Sequence, residues 1–441
     1  MNPLAKQLNQ IIEQGNPHIV EMLSEMGEKF FFPKGILDQS AEAKEKAYKL
    51  NATIGVALEA GQIMYLNSTR DALGTMSPEE SLTYAPSFGI QTLRKAWRDL
   101  MLKKNPTLKT RTFSMPVVTS GITHAISTFA DLWVDPEDVV VFPDMIWGNY
   151  DLIFSIRKCA VIHKYPMFTE DCRFNLAAFA RTLEDLARVN TKLIVFLNFP
   201  NNPTGYTLSE SEGEAVVETL TRLARQGTNI IAVFDDAYFG LFYEPDTLKE
   251  SLFSRICQQH PRLMGVKLDG ASKEIFAWGL RIGFITYGCT VEGDPSGVYQ
   301  ALEKKTAGCI RSSISNASHM GQSIVLRSIE SLEFDDEIRR KFTILKSRAE
   351  YVKQVSRDPK YQDAWDVYPF NSGYFMCLRL KTVHAETLRQ HLLDHYGVGL
   401  ISMGDKDLRI AFSCLEKDQI PILFEIIFKG IQDLASSARP C

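Results

Sequence analysis

Between residues 112 and 290 short apolar runs alternate with longer amphipathic stretches. The runs are "MPVVT" (115–119), "DVVVF" (138–142), "CAVIH" (159–163), "LIVFL" (193–197), "IIAVF" (230–234), "MGVKL" (264–268) and "GFITY" (283–287). Unbroken runs of this kind predict strands buried on both faces of a mostly parallel sheet. The stretches between them keep a helical period. "EGEAVVETLTRLARQG" (212–227) puts Val216, Leu220, Leu223 and Ala224 on one face and ends in Gly227. "GITHAISTFADLW" (121–133) repeats apolar residues at 122, 126, 129 and 133. Seven strands with interleaved helices predict an α/β domain.

Near 330–345 the pattern changes. "VHAETLRQHLLDHYG" (383–397) and "KDQIPILFEIIFKGIQDLA" (417–435) read as helices, and "GYFMCLRL" (373–380) and "DLRIAFSC" (407–414) as short strands. These predict a second, smaller α+β domain. A chain of 441 residues is too long for one ordinary core, which agrees.

Composition narrows the function classes. The chain is 45% hydrophobic and 23% charged with a net charge of −4, so it carries no electrostatic footprint for nucleic acid. No apolar run approaches the ~20 residues of a membrane helix, and the densest, "PILFEIIFKGI", is broken by Glu425 and Lys429. The N-terminus has no apolar signal block, and the first arginine is Arg70. Eight cysteines without a CxxC pair or a His-bearing metal spacing predict reduced, mostly buried thiols in a cytoplasmic protein with no metal.

Ligands of open α/β sheets bind beyond the C-terminal strand ends, so the residues following each run are the candidates. Ser120-Gly121-Ile122-Thr123 opens a helix, which is either a plain cap or an anion nest. Trp147, beside Gly148, is either a loop-buried aromatic or a plate for a ring to stack on. "NNPTG" is a turn that projects the Asn202 amide over the strand ends. Asp235, which heads Asp235-Asp236-Ala237-Tyr238, is costly to bury at the end of an apolar strand unless it meets a cation. In "DGASKEIFAWGLRIGF" (269–284), Lys273 and Arg281 lie between two core strands. A lone lysine is usually solvated, but a desolvated one near other cations loses its proton and becomes nucleophilic.

An anion nest, a stacking plate, an amide, a carboxylate, a phenol, a reactive amine and an arginine have one consistent use, the binding of pyridoxal phosphate. The nest and Arg281 take the phosphate, Trp147 stacks on the ring, and Asn202 and Tyr238 bond the phenolic oxygen. Asp235 keeps the pyridine nitrogen protonated, and Lys273 forms the Schiff base.

The chain resembles the class I aminotransferases of the fold-type I pyridoxal-phosphate enzymes, closest in pattern to the aspartate aminotransferases. "SK" with Arg-x-Gly eight residues after the lysine, "NNPTG", "DDAYFG" and "WGNY" are similar to that family's motifs. "NATIGVA" (51–57) resembles its substrate-facing loop, carried by Gly55, and "LRIAFS" the strand whose arginine, here Arg409, binds the α-carboxylate. "YAPSFG" (84–89) resembles the segment whose tyrosine, here Tyr84, reaches the neighbouring subunit's phosphate. "RSSISN" (311–316) resembles the segment whose arginine, here Arg311, binds a distal carboxylate in the partner's site. A guanidinium fork matches a carboxylate bidentately, which suits Arg409.

Two positions depart from the family pattern. Tyr150 stands where aspartate aminotransferases carry a histidine supporting the pyridine-binding aspartate. Gly270 stands where they often carry a phosphate-contacting serine, which leaves Ser272, Arg281 and the nest to hold phosphate.

The resemblance implies an α/β fold with a seven-stranded, mostly parallel sheet in a large cofactor domain (61–335). The smaller α+β domain is built from both chain ends (1–60 and 336–441). It implies a homodimeric enzyme exchanging an amino group between an L-amino acid and a 2-oxo acid, with a dicarboxylic, aspartate- or glutamate-like substrate implied by Arg311. Another reaction on the same cofactor, by a lyase, decarboxylase or cyclopropane-forming synthase, would use the same residues. An amino-acid-sensing regulator of this fold would need a DNA-binding domain in front, and only about fifty residues without a basic helix-turn-helix pattern precede "NATIGVA".

Overall fold

The computed structural model describes residues 1–16, 20–31 and 36–437. Residues 17–19, 32–35 and 438–441 of the two expected end segments lie outside the described residues.

The seven apolar runs form one sheet from β1 (Val117–Thr119), β2 (Val139–Pro143), β3 (Val161–Tyr165), β4 (Lys192–Asn198), β5 (Asn229–Asp235), β6 (Leu263–Gly270) and β7 (Gly283–Gly288). Their order is β1-β7-β6-β5-β4-β2-β3. Neighbours are parallel except that β7 runs antiparallel to both β1 and β6. Central β4, β5 and β6 are buried along almost their whole length, as unbroken apolar runs require. "CAVIH" departs from its expectation. As β3 it is the sheet's edge, and Val161 is 43% exposed.

Helices α1 (Ile36–Lys46), α2 (Ile122–Trp133), α3 (Glu210–Arg225), α4 (Ser296–Ser313), α5 (Ala385–Tyr396) and α6 (Gln419–Ser437) matter below. Helix α3 starts with a reciprocal cap, Ser209 accepting from the Glu212 N–H and the Glu212 carboxylate from the Ser209 N–H. Its buried face holds Val216, Leu220, Leu223 and Ala224. A second sheet, β8 (Trp365–Val367), β9 (Phe375–Leu380), β10 (Ile401–Met403) and β11 (Asp407–Ala411), is antiparallel in the order β8-β9-β11-β10. The early chain joins it: Leu50 and Asn51 pair in parallel with Val398 and Gly399, and the Ala411 N–H donates to the Ala52 carbonyl at 2.9 Å. No described helix is long and apolar enough to cross a membrane. Three of the described cysteines, Cys257, Cys377 and Cys414, are buried, while Cys159 is exposed and Cys172, Cys289 and Cys309 are intermediate, so the thiols are less buried than their spacing suggested.

The two sheets meet at the "NNPTG" turn. The Gly205 carbonyl accepts from the N–H groups of Asn371 and Ser372 at 3.0 and 2.9 Å. Gly205 has φ +73°, and a Cβ there would lie 2.0 Å from the Phe375 carbonyl oxygen. Neither the dihedral nor the space suits a side chain. Gly205→Ala is therefore expected to lose roughly 1–3 kcal/mol or more, as overpacking of a tight contact does, read as a lowered thermal midpoint.

Candidate active site

Strands β4 and β5 end level with one another, with Asn198 paired to Asp235. Beyond these ends a cavity of about 310 Å³ opens against β9 and β11. It gathers Gly55, Ile122, Thr123, Trp147, Asn202, Asp235, Tyr238, Ser272, Lys273, Arg281 and Arg409 from stretches far apart in sequence.

Asp235, 3% exposed, is the last residue of β5. Its Oδ2 accepts from the Tyr150 hydroxyl at 2.5 Å and its Oδ1 from the Ala237 N–H at 3.1 Å. Burial pushes its carboxyl up, while Tyr150, the Lys273 ammonium and the Ala237 amide act to hold it ionised. Tyr150 thus fills the supporting place that a histidine would take. Its ring stacks on Phe142, with centroids 4.8 Å apart, and leads into a π-helical turn at Asp151–Arg157. Burial and then Asp235 push its hydroxyl pKa far up, so it remains a donor. The adjacent Asp236 is paired with Lys267 Nζ at 2.5 Å and is not part of the cavity lining.

The opposite end is built for an anion. Helix α2 begins after Gly121 (φ +79°) without a side-chain cap, leaving first-turn amides free. The Arg281 guanidinium packs on that glycine, where a Cβ would lie 2.5 Å from Nη2. Arg281 itself is left-handed (φ 53°). Its side chain donates to the Trp278 carbonyl at 3.3 Å, and no carboxylate partner appears for it among the described residues. The expected nest is narrower than the four residues suggested. The Ser120 N–H donates to His124 Nδ1 and the Gly121 N–H to the Thr119 carbonyl, which leaves Ile122 and Thr123 facing the cavity. Gly270 has a steric reason: a Cβ there would lie 2.8 Å from the Ile282 carbonyl oxygen.

Between these ends stands Lys273, its Nζ 5.0 Å from the Tyr238 ring centroid. Desolvation pulls its pKa down to about 8; Asp235 opposes this and Arg281 adds to it. On the roof Arg409, 2% exposed, donates from Nη1 to Asn202 Oδ1 at 3.2 Å and from Nη2 to the Thr53 carbonyl at 2.6 Å. It lies 4.3 Å from the Phe375 ring centroid, and no carboxylate partner appears for it among the described residues. Two of its five N–H donors are used, so three remain, including the unpartnered Nε.

Two expected residues lie elsewhere. Tyr84 is 89% exposed, and Arg311 lies in the exposed last turn of α4, donating to Ser315 Oγ at 2.6 Å. Neither reaches its own chain's cavity. Conversely, Asn198 was not anticipated. Its side-chain amide donates to the Asp235 carbonyl at 2.8 Å and its Oδ1 accepts from the Asn202 N–H at 2.8 Å, which sets the turn over the strand. Its place as the polar end of "LIVFLN" was the available signal. Ser40, Thr53, Trp278 and Phe375 also line the cavity without a distinguishing pattern.

An α/β sheet whose strand ends carry an amine, a supported carboxylate and an anion cradle defines a cofactor-dependent enzyme. The family model described as "Aminotransferase class I and II" matches residues 51–427. The chain belongs to this family and is a pyridoxal-phosphate-dependent aminotransferase acting on amino acids. It is 25% identical over 346 residues to the "Probable N-acetyl-LL-diaminopimelate aminotransferase" of Bacillus subtilis, covering 76% of this chain and 78% of that protein. It is also 25% identical over 370 residues to the aromatic-amino-acid aminotransferase of Escherichia coli (81% and 87%). The crystal structure of an aminotransferase from Anaerococcus prevotii superposes with a TM-score of 0.81 at 23% identity, covering 93% of this chain and 99% of that one. Pyridoxal phosphate fits the residues present. The uncapped helix start beside an unpaired guanidinium suits its phosphate, and a buried carboxylate suits a protonated ring nitrogen.

Because burial disfavours the charged amine, acetylation of Lys273 in the cofactor-stripped protein, followed by peptide mapping, is expected to rise with pH about a midpoint near 8. Ordinary lysines titrate near ~10.4. In Asp235→Asn the carboxylate that opposes this shift is gone, so the midpoint should fall further. An unshifted Lys273 midpoint in the wild type would remove it as the reactive amine.

Proposed function

We propose that Lys273 is the catalytic amine of this aminotransferase and that Arg409 binds the α-carboxylate of both substrates. The observation that carries this is Lys273, at a depressed pKa of about 8, in one cavity with Asp235 and two arginines that have no carboxylate partner among the described residues. When bound, pyridoxal phosphate supplies an aldehyde for the amino group and a ring that withdraws electrons from the substrate Cα. Ile122, Thr123, Ser272 and Arg281 hold its phosphate. Trp147 lies against its ring, Asn202 and Tyr238 bond its phenolic oxygen, and Asp235 keeps a proton on its ring nitrogen. Lys273 Nζ would hold the cofactor at its aldehyde and would move the proton at the substrate Cα.

The working unit in this reading is a cytoplasmic homodimer. The division into a cofactor domain (61–335) and a small domain from both ends (1–60, 336–441) follows, supported by the Leu50–Val398 pairing and the Arg409–Thr53 bond. Tyr84 and Arg311, both outside their own cavity, serve the neighbouring chain's site, Tyr84 at the phosphate and Arg311 at the distal carboxylate of a dicarboxylic substrate.

A panel of amino donors against 2-oxoglutarate, oxaloacetate and pyruvate tests the exchange, and stoichiometric release of ammonia or carbon dioxide would instead favour a lyase or decarboxylase. Borohydride reduction should fix the pyridoxyl group on the "DGASK" peptide. Arg409→Ala should lower kcat/KM by roughly two to four decades, the loss of two charge-assisted hydrogen bonds at ~1.5–3 kcal/mol each. Arg409→Lys should be nearly as damaging, because an ammonium cannot make the fork.

Sharing of sites is tested by mixing Lys273→Ala chains with Tyr84→Phe/Arg311→Ala chains. One site of the hybrid then carries every lesion and the other none, so activity should rise toward half per hybrid. No recovery in hybrids shown to form would return Tyr84 and Arg311 to their own subunit.

A further inference from the structure

Amino-group exchange requires one cavity to accept two different side chains in turn. The assignments above use all three cations of the lining, Lys273, Arg281 and Arg409, together with its one carboxylate, Asp235. They leave Ser40, Thr53, Ile54 and Trp278 without a role. Among the described residues, three polar side-chain atoms of the lining are buried without a hydrogen-bond partner: Arg409 Nε, Ser40 Oγ and Trp278 Nε1. Arg409 Nε belongs to the α-carboxylate grip. Thr53 is occupied, its hydroxyl donating to Asn51 Oδ1 at 2.6 Å. Two neutral groups of the lining remain: a hydroxyl that donates or accepts, and an indole N–H that only donates.

Ser40 is held in place from outside the cavity. The next residue back, Gln39, clamps α1 to β10, its Nε2 donating to Ser402 Oγ at 3.0 Å and its Oε1 accepting from the Ser402 N–H at 2.9 Å. Further along α1, Ala43 packs on Gly399, where an added Cβ would lie 2.6 Å from the Ala43 Cβ. A hydroxyl fixed this way and left unpaired in a buried place is costly unless a ligand completes it.

We propose that Ser40, with Trp278, is a specificity-determining residue that hydrogen-bonds an uncharged oxygen acceptor, such as a side-chain amide, on one of the two substrates. The inference rests on the proposed roles of Lys273 and Arg409, which fix which part of the lining faces the substrate side chain. An uncharged acceptor is the match because the two unpartnered groups are neutral donors, and Arg281, whose side chain donates to the Trp278 carbonyl, is taken by the phosphate in this reading. Arg311 of the neighbouring chain then addresses the dicarboxylic substrate, and Ser40 the other.

The test compares glutamine with methionine, similar in length but without a side-chain oxygen, as donors to the holoenzyme. Ser40→Ala should lower kcat/KM for glutamine about tenfold, the upper range for one neutral hydrogen bond, and leave methionine within about twofold. Ser40→Thr, which keeps the hydroxyl, should retain the wild-type ratio. Trp278→Phe should lower the ratio in the same direction. An equal loss with both donors, or an unchanged ratio in Ser40→Ala of wild-type thermal midpoint, overturns the proposal while leaving the transaminase reading intact. Absence of turnover by the wild type with every donor would overturn that reading, and this inference with it.

Discussion

The constraint on which the site depends is a charge imbalance within one cavity. Three cations, Lys273, Arg281 and Arg409, share one cavity with a single carboxylate, Asp235. Arg409 is buried and Lys273 half-buried, while Arg281 stands at the exposed side, and buried charge without a partner is expensive. The protein tolerates it by supplying partial compensation: carbonyl oxygens of Trp278 and Thr53, the Asn202 amide oxygen, and the faces of Phe375 and Tyr238. None of these neutralises a charge. The remaining free energy is available to whichever anions enter, and desolvation, with a smaller push from Arg281, makes the lysine give up its proton more readily.

Directly behind the site the same chain does the opposite. Lys267 pairs with Asp236 at 2.5 Å and Asp269 at 3.0 Å, and Lys104 pairs with Glu274 at 2.7 Å, all with little or no exposure on the acidic side. Asp236 and Glu274 are the immediate neighbours of Asp235 and Lys273 in sequence. Asp235 ends a strand and Lys273 lies in a short helical turn, Ala271–Glu274, and in each pair one member lines the cavity while its neighbour is held in an ion pair outside the lining. The paired layer fixes the backbone that presents the unpaired one.

Much of the large sheet was legible because its strands are buried on both faces and so spell unbroken apolar runs. "CAVIH" looked the same but forms the edge, since burial of an edge strand depends on what covers it rather than on its own composition. The lining residues that sit at strand ends or in glycine-marked turns, such as Asp235, Asn202, Lys273 and Arg281, were legible for the same reason. Ser40, Thr53 and Phe375 were not. They come from the early chain and the second sheet, and only the pairing of residues 50–51 with 398–399 and the docking of Gly205 against Phe375 bring them over the cavity. Tyr84 and Arg311 mark another limit, because a single folded chain leaves both at its surface.

Tyr150 shows how a departure from a family pattern can preserve a physical requirement while changing its pH behaviour. What Asp235 needs is a donor that opposes the upward push of burial on its carboxyl, and the phenol at 2.5 Å is one. A histidine in that place would titrate within the physiological range, with an unperturbed pKa near ~6.5, and its charge would reach Asp235 as well as its hydrogen bond. The phenol cannot gain a positive charge there, and burial carries its own ionisation far above neutrality. The hydrogen bond to Asp235 is therefore constant across neutral pH, while desolvation pulls the Lys273 amine down to about 8. The aromatic stack of Phe142, Tyr150 and Phe196 that holds the phenol is part of the sheet's own core. The packing that stabilises the fold and the hydrogen bond that tunes the carboxylate are thus made by the same ring.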